Sequence, residues 1–66
     1  MITVNDYPCA YQEGMTLLEA LNAAAVDING PVHITHNGTF VPKDRYPEVL
    51  VTDGDEILAM RVVSGG

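Results

Sequence analysis

The residues best suited to chemistry are the last five, Val62-Val63-Ser64-Gly65-Gly66. Glycine has no Cβ, so Gly65 and Gly66 can run extended through a narrow channel and let another protein's backbone approach closely. A terminal carboxylate on Gly66 is then unhindered, and with the ordinary terminal pKa of about 3.3 to 3.7 it is ionised at neutral pH. Such a carboxylate can attack the α-phosphate of ATP, and a thiolate or persulfide can displace AMP from the resulting mixed anhydride to leave a thioester or thiocarboxylate. On this reading Gly66 is the reacting residue, and Gly65 lets the tail thread into a partner.

Other candidate groups carry less. His33 and His36 are the only histidines; three positions apart on a strand they point to opposite faces and cannot grip one metal. Asp53, Asp55 and Glu56 crowd around Gly54 without the length or ligand pattern of a calcium loop, which reads as a solvated turn. Cys9 sits among strand-forming residues and reads as a small buried hydrophobe rather than a reactive thiol. No glycine-rich phosphate loop and no Ser-His-Asp signature is present, so the chain is expected to be a substrate for another enzyme and not an enzyme itself.

These residues need a scaffold, and the chain spells one out. Met1 to Asn5 alternates as a half-buried strand, Asn5-Asp6 is a tight turn, and Tyr7 to Gln12 returns as a second strand placed at a sheet edge by Pro8. Gly14 breaks that strand, and Thr16 with Glu19 forms a capping box opening a helix whose Leu17, Leu18, Leu21, Ala24 and Ala25 share one face. Val26 to Pro31 ends the helix. Val32 to Asn37 and Thr39 to Val41 form a hairpin about Asn37-Gly38. Lys43 to Val49 reads as a polar surface connection with one helical turn at most, and Leu50-Val51 as a stub of strand. A tight turn over Thr52 to Asp55 leads into the final strand, Glu56 to Val63.

The order strand, strand, helix, strand, strand, strand predicts an α+β domain over residues 1–63. It comprises a mixed sheet of about five strands with one helix across one face, followed by a flexible tail over 64–66. With the first and last strands as central neighbours, the tail leaves the sheet at one end. In the final strand Ile57 and Ala59 face the helix, which leaves Leu58 and Met60 on the other face as a candidate partner-binding patch.

Composition narrows the partners. The chain has 66 residues, a formal net charge of -6 and a single cysteine. The charge repels phosphate backbones and anionic lipid, which excludes nucleic acid, and favours a protein with a basic docking surface. One cysteine forms no internal disulfide and suits a reducing compartment. No apolar run reaches the roughly 20 residues of a membrane span, and no signal-type segment precedes the first strand, so the expected location is the cytoplasm.

Three features coincide: the element order, the Asp53-Gly54-Asp55-Glu56-Ile57 turn into the last strand, and the Gly65-Gly66 end. Together they resemble the ThiS/MoaD family of sulfur carriers, with the ubiquitin-like β-grasp fold. The stretch from Val32 to Lys43, and Gly14 shortly before Thr16, resemble the thiamine-biosynthesis branch. Val63-Ser64-Gly65-Gly66 is equally similar to the small subunit of molybdopterin synthase. The resemblance implies that a ubiquitin-activating-type adenylyltransferase (ThiF/MoeB-like) adenylates Gly66 with Mg-ATP, while Gly65 and Ser64 let the tail thread into each partner. A sulfur donor protein then supplies sulfur, and the thiocarboxylate serves thiazole synthase or another sulfur-accepting enzyme. No bound cofactor and no metal is expected. Two other readings stand beside it: a ubiquitin-like modifier conjugated through Gly66 to lysine, and a β-grasp interaction module with an inert tail.

Overall fold

The computed structural model describes residues 1–61. Strands β1 (Ile2–Val4) and β2 (Tyr7–Cys9) are followed by helix α1 (Leu17–Ala23), β3 (Val32–His36), β4 (Thr39–Val41), a 3-10 turn over Lys43–Arg45, and β5 (Glu56–Arg61). The sheet order is β2-β1-β5-β3-β4. β1 and β5 are parallel, and the other neighbouring pairs are antiparallel. The predicted architecture is therefore the observed one, with the first and last strands adjacent at the centre.

Both hairpins follow from their turns. Asn5 and Asp6 have φ of 52° and 69°, and Asn37 and Gly38 have 52° and 85°. Positive φ at both central residues is the backbone of a two-residue turn whose twist matches the strands it joins. The second hairpin consequently pairs His36 with Thr39 and Thr35 with Phe40. β2 ends at Cys9, three residues short of the predicted Gln12.

The helix starts where the capping box places it. Thr16 Oγ1 accepts from the Glu19 N–H at 3.2 Å, and the Thr16 N–H donates to Glu19 Oε1 at 3.0 Å. It ends sooner than the apolar stripe suggests. Ala25 adopts φ 59°, its N–H bonds to the Asn22 carbonyl at 3.1 Å, and the Val26 N–H reaches back to Leu21 at 3.0 Å. That bonding pattern is a Schellman closure, normally built on glycine. Ala25 therefore lies beyond the helix and is exposed.

The core lies between helix and sheet. Ile2, Leu17, Ala20, Leu21, Ile34 and Ile57 are fully buried there, alongside Val4, Met15, Val41, Tyr46 and Val51. Each large aliphatic side chain so buried contributes roughly 1.5 to 3 kcal/mol of transfer free energy. Tyr46 comes from the segment read as a polar surface connection. Its carbonyl accepts from the Leu18 N–H at 3.1 Å, and burial pushes its phenol pKa upward. Leu50 makes one isolated bridge to Thr16, while the flanking Leu17 N–H and Val51 N–H bond to Val49 and Met15. The expected stub of strand is thus a clasp on the helix entrance and not a sheet member. Cys9 is half-buried against the core.

Candidate functional site

Gly66, expected to react, and Gly65 and Ser64, expected to thread into a partner, lie outside the described residues, as does the end of the predicted 1–63 domain. What the structure places is the platform from which that segment departs: the C-terminal end of β5 and the surfaces on either side of it.

The outer face of the sheet, away from α1, is set by strand parity and register. Met60 lies opposite His33, Leu58 opposite Thr35, and Thr35 opposite Phe40 across the next strand. Met60 is 56% exposed and Phe40 52%, while Leu58 and His33 are half-buried. His33 stacks on Phe40 with ring centroids 4.6 Å apart and planes 25° from parallel. The inner face of the same strand holds Ile57, fully buried, and Ala59, packed against the core. The two faces of β5 are therefore divided as expected, with Leu58 and Met60 outside.

His33 and Phe40 extend that apolar surface and were not anticipated. The signal was available: a two-residue turn at Asn37-Gly38 fixes Phe40 opposite Thr35, hence on the face of His33. The inner side of the β5 end opens into a cleft of about 380 Å³ lined by Asp27, Gly30, Pro31, Val32, Ala59 and Arg61.

The opposite end of β5 is anchored by a residue assigned above to a solvated turn. Asp55 is 7% exposed. Its Oδ2 accepts from His36 Nε2 at 2.6 Å and from the Thr52 N–H at 2.7 Å. Its Oδ1 accepts from Thr52 Oγ1 at 2.8 Å and Asn37 Nδ2 at 3.0 Å. An ionised carboxylate only accepts, so His36 Nε2 carries the hydrogen. Burial pushes the Asp55 carboxyl upward, but the donors from Asn37, His36 and Thr52 outweigh it and hold the carboxyl well below the usual carboxylate range. The neighbouring Asp53, by contrast, is exposed and pairs with the Met1 amino group. Asp55 thus ties the final turn to the β3–β4 hairpin and is a structural brace, while Asp53 and Glu56 of the same cluster are exposed. His33 and His36 lie on opposite faces as expected. Among the described residues no group of three or more His, Cys, Asp or Glu side chains is placed to hold a metal ion. No helix there is long and apolar enough to cross a membrane.

This mixed sheet with its single helix has a counterpart among known proteins. The family model of the ThiS family matches residues 2–66. The chain belongs to the ThiS family. Its fold is the ubiquitin-like β-grasp of ThiS. The crystal structure of the thiamine biosynthesis protein ThiS from Geobacter metallireducens superposes with a TM-score of 0.78 at 25% identity, covering 98% of this chain and 97% of that one. No curated protein sequence matches the chain. ThiS-family proteins are small sulfur carriers and not catalysts.

Proposed function

We propose that this ThiS-family carrier serves thiazole formation in thiamine biosynthesis, with the Gly66 carboxylate as the site of sulfur attachment. The Gly66 carboxylate attacks the α-phosphate of ATP held with magnesium by a ubiquitin-activating-type adenylyltransferase, and pyrophosphate leaves. The terminal sulfur of a donor protein's persulfide then attacks the acyl carbon, and AMP leaves. A second thiol cleaves the acyl disulfide, forming a disulfide with the donor sulfur and releasing the thiocarboxylate. Thiazole synthase takes up the sulfur, and the carboxylate returns to the cycle.

The observation that carries this reading is the family match reaching 2–66, terminal glycines included. The outer-face surface of Leu58, Met60, Phe40 and His33 supports it, since a carrier handed between enzymes needs a face they can share. The acidic chain favours partners that carry a basic docking surface, and the proposed location is the cytoplasm.

The test is ATP–pyrophosphate exchange catalysed by the adenylyltransferase of the same organism. The parent protein supports exchange, whereas deletion of Gly66 abolishes it. The deletion retracts the carboxylate by about 3.3 to 3.6 Å, as much as a whole near-attack distance of about 3 to 3.5 Å. Robust exchange by the deletion variant rules the mechanism out.

A further inference from the structure

Among the described residues the sheet has three places where backbone groups lack a strand, and two of them are blunted. In each hairpin the pair flanking the turn, Val4 with Tyr7 and His36 with Thr39, points its backbone groups inward. Alternate residues therefore point outward. On β2 the outward position is Pro8, which has no N–H, and on β4 only Phe40 faces out before Pro42.

The third place lies inside the sheet. β1 stops at Val4, opposite Ile57, but β5 continues to Arg61. The Thr3 N–H bonds to the Asp55 carbonyl at 3.0 Å and the Asn5 N–H to Ile57 at 2.9 Å, so the odd-numbered residues of β5 face β1. Past the end of β1, Asn5 adds one more rung with its side chain: Oδ1 accepts from the Ala59 N–H at 2.8 Å. Beyond that rung the Ala59 carbonyl and the Arg61 N–H continue in the same direction, and no described residue meets them. Even-numbered β5 residues face β3, where pairing runs on to Val32 opposite Arg61. The result is a short, open seam on an otherwise paired central strand.

We infer that this seam, Ala59 to Arg61, is a strand-addition site for an extended, basic segment of the adenylyltransferase that acts on Gly66. The inference rests on the proposed function and adds to it a specific docking contact. Reach identifies the occupant. Gly66 lies five positions beyond Arg61, a span of at most about 18 Å. An enzyme holding Gly66 at its nucleotide therefore has its surface beside the seam. Charge gives the segment its sign, because Asp6 of the adjoining turn is exposed and the whole chain carries -6. The chain's net charge also opposes a second copy, although Arg61 is itself a cation.

Arg61→Pro tests the backbone directly, since it removes the outward N–H without removing a β3 ladder bond, and Arg61→Ala keeps the N–H while removing the guanidinium. Affinity for the adenylyltransferase with Mg-ATP is measured by calorimetry, with amide exchange of Arg61 followed by NMR in free and bound parent protein. The expected result is a loss of about tenfold or more for Arg61→Pro, little change for Arg61→Ala, and an Arg61 amide protected only in the complex. Equal losses in both variants, or an unprotected Arg61 amide in the complex, overturn the seam. Protection in the free protein together with dimeric sedimentation overturns it in favour of a second copy. Should Arg61→Pro unfold, the amide exchange of the parent decides alone. Pyrophosphate exchange by the parent separates the two claims: exchange with no Arg61 protection sinks the seam only, and absence of exchange sinks both.

Discussion

Asp55 and His36, nineteen positions apart, meet at 2.6 Å and lock the start of the last strand to the β3–β4 hairpin. The carboxylate is saturated, with two donors on each oxygen. This brace sits at the start of β5, at the end of the strand away from Arg61.

Asp55→Asn keeps the shape but leaves one oxygen, able to serve only two of the four donors. Unfolding in urea is expected to show a loss of about 2 to 4 kcal/mol. The pH dependence follows from the depressed carboxyl. Below the unfolded value of about 3.9 the unfolded chain binds a proton that the folded chain refuses. The stability Asp55 supplies is therefore complete above that pH and is lost progressively as pH falls below it. The variant lacks this acid-sensitive component, and parallel acid profiles for parent and variant would contradict the assignment.

Ala25→Gly is expected to stabilise the domain. Ala25 holds φ 59° in the Schellman closure, a conformation costing an L-residue roughly 1 kcal/mol that glycine avoids, partly offset by glycine's greater freedom when unfolded. A rise in the urea midpoint with an unchanged slope checks this, and an unchanged or lower midpoint refutes it.

Much of this fold was legible because local chemistry agreed with global placement. Thr16 and Glu19 announced the helix start, Asn37-Gly38 the hairpin, and Pro8 an edge strand. The helix end was not legible, because Ala25 carries no glycine signal and continues the apolar stripe by type. Asp53 and Asp55 flank the same glycine, yet one is exposed and the other buried, a difference decided by His36 and Asn37 far away in sequence. Tyr46 hides in a polar stretch because a single 3-10 turn aims it under the helix. Of the candidate site, Leu58 and Met60 followed from strand alternation. Phe40 did not, because three residues of β4 are too few to reveal a face without the register of the turn.

Met60→Asp places a charge on the outer face of β5, where the parent side chain is half exposed. The cost to the free protein is small, but a complex must desolvate the charge beside apolar Leu58 and Phe40. Thermal unfolding is expected to shift little while affinity for the adenylyltransferase falls about tenfold or more. Leu58→Asp acts in the same direction with a larger stability loss, since Leu58 is half-buried. Unchanged binding by calorimetry for both variants would remove this face from the interface.

The central claim, that Gly66 carries sulfur, is tested most directly by the intact mass of the protein purified from its native host under non-reducing, alkylant-free conditions. The account predicts a fraction heavier by the exchange of one oxygen for one sulfur, localised by fragmentation to Gly66. It also predicts that the added mass disappears when the adenylyltransferase is deleted. A protein whose C-terminal fragment carries oxygen only, in cells making thiamine, or one joined through Gly66 to a lysine amine, would contradict it.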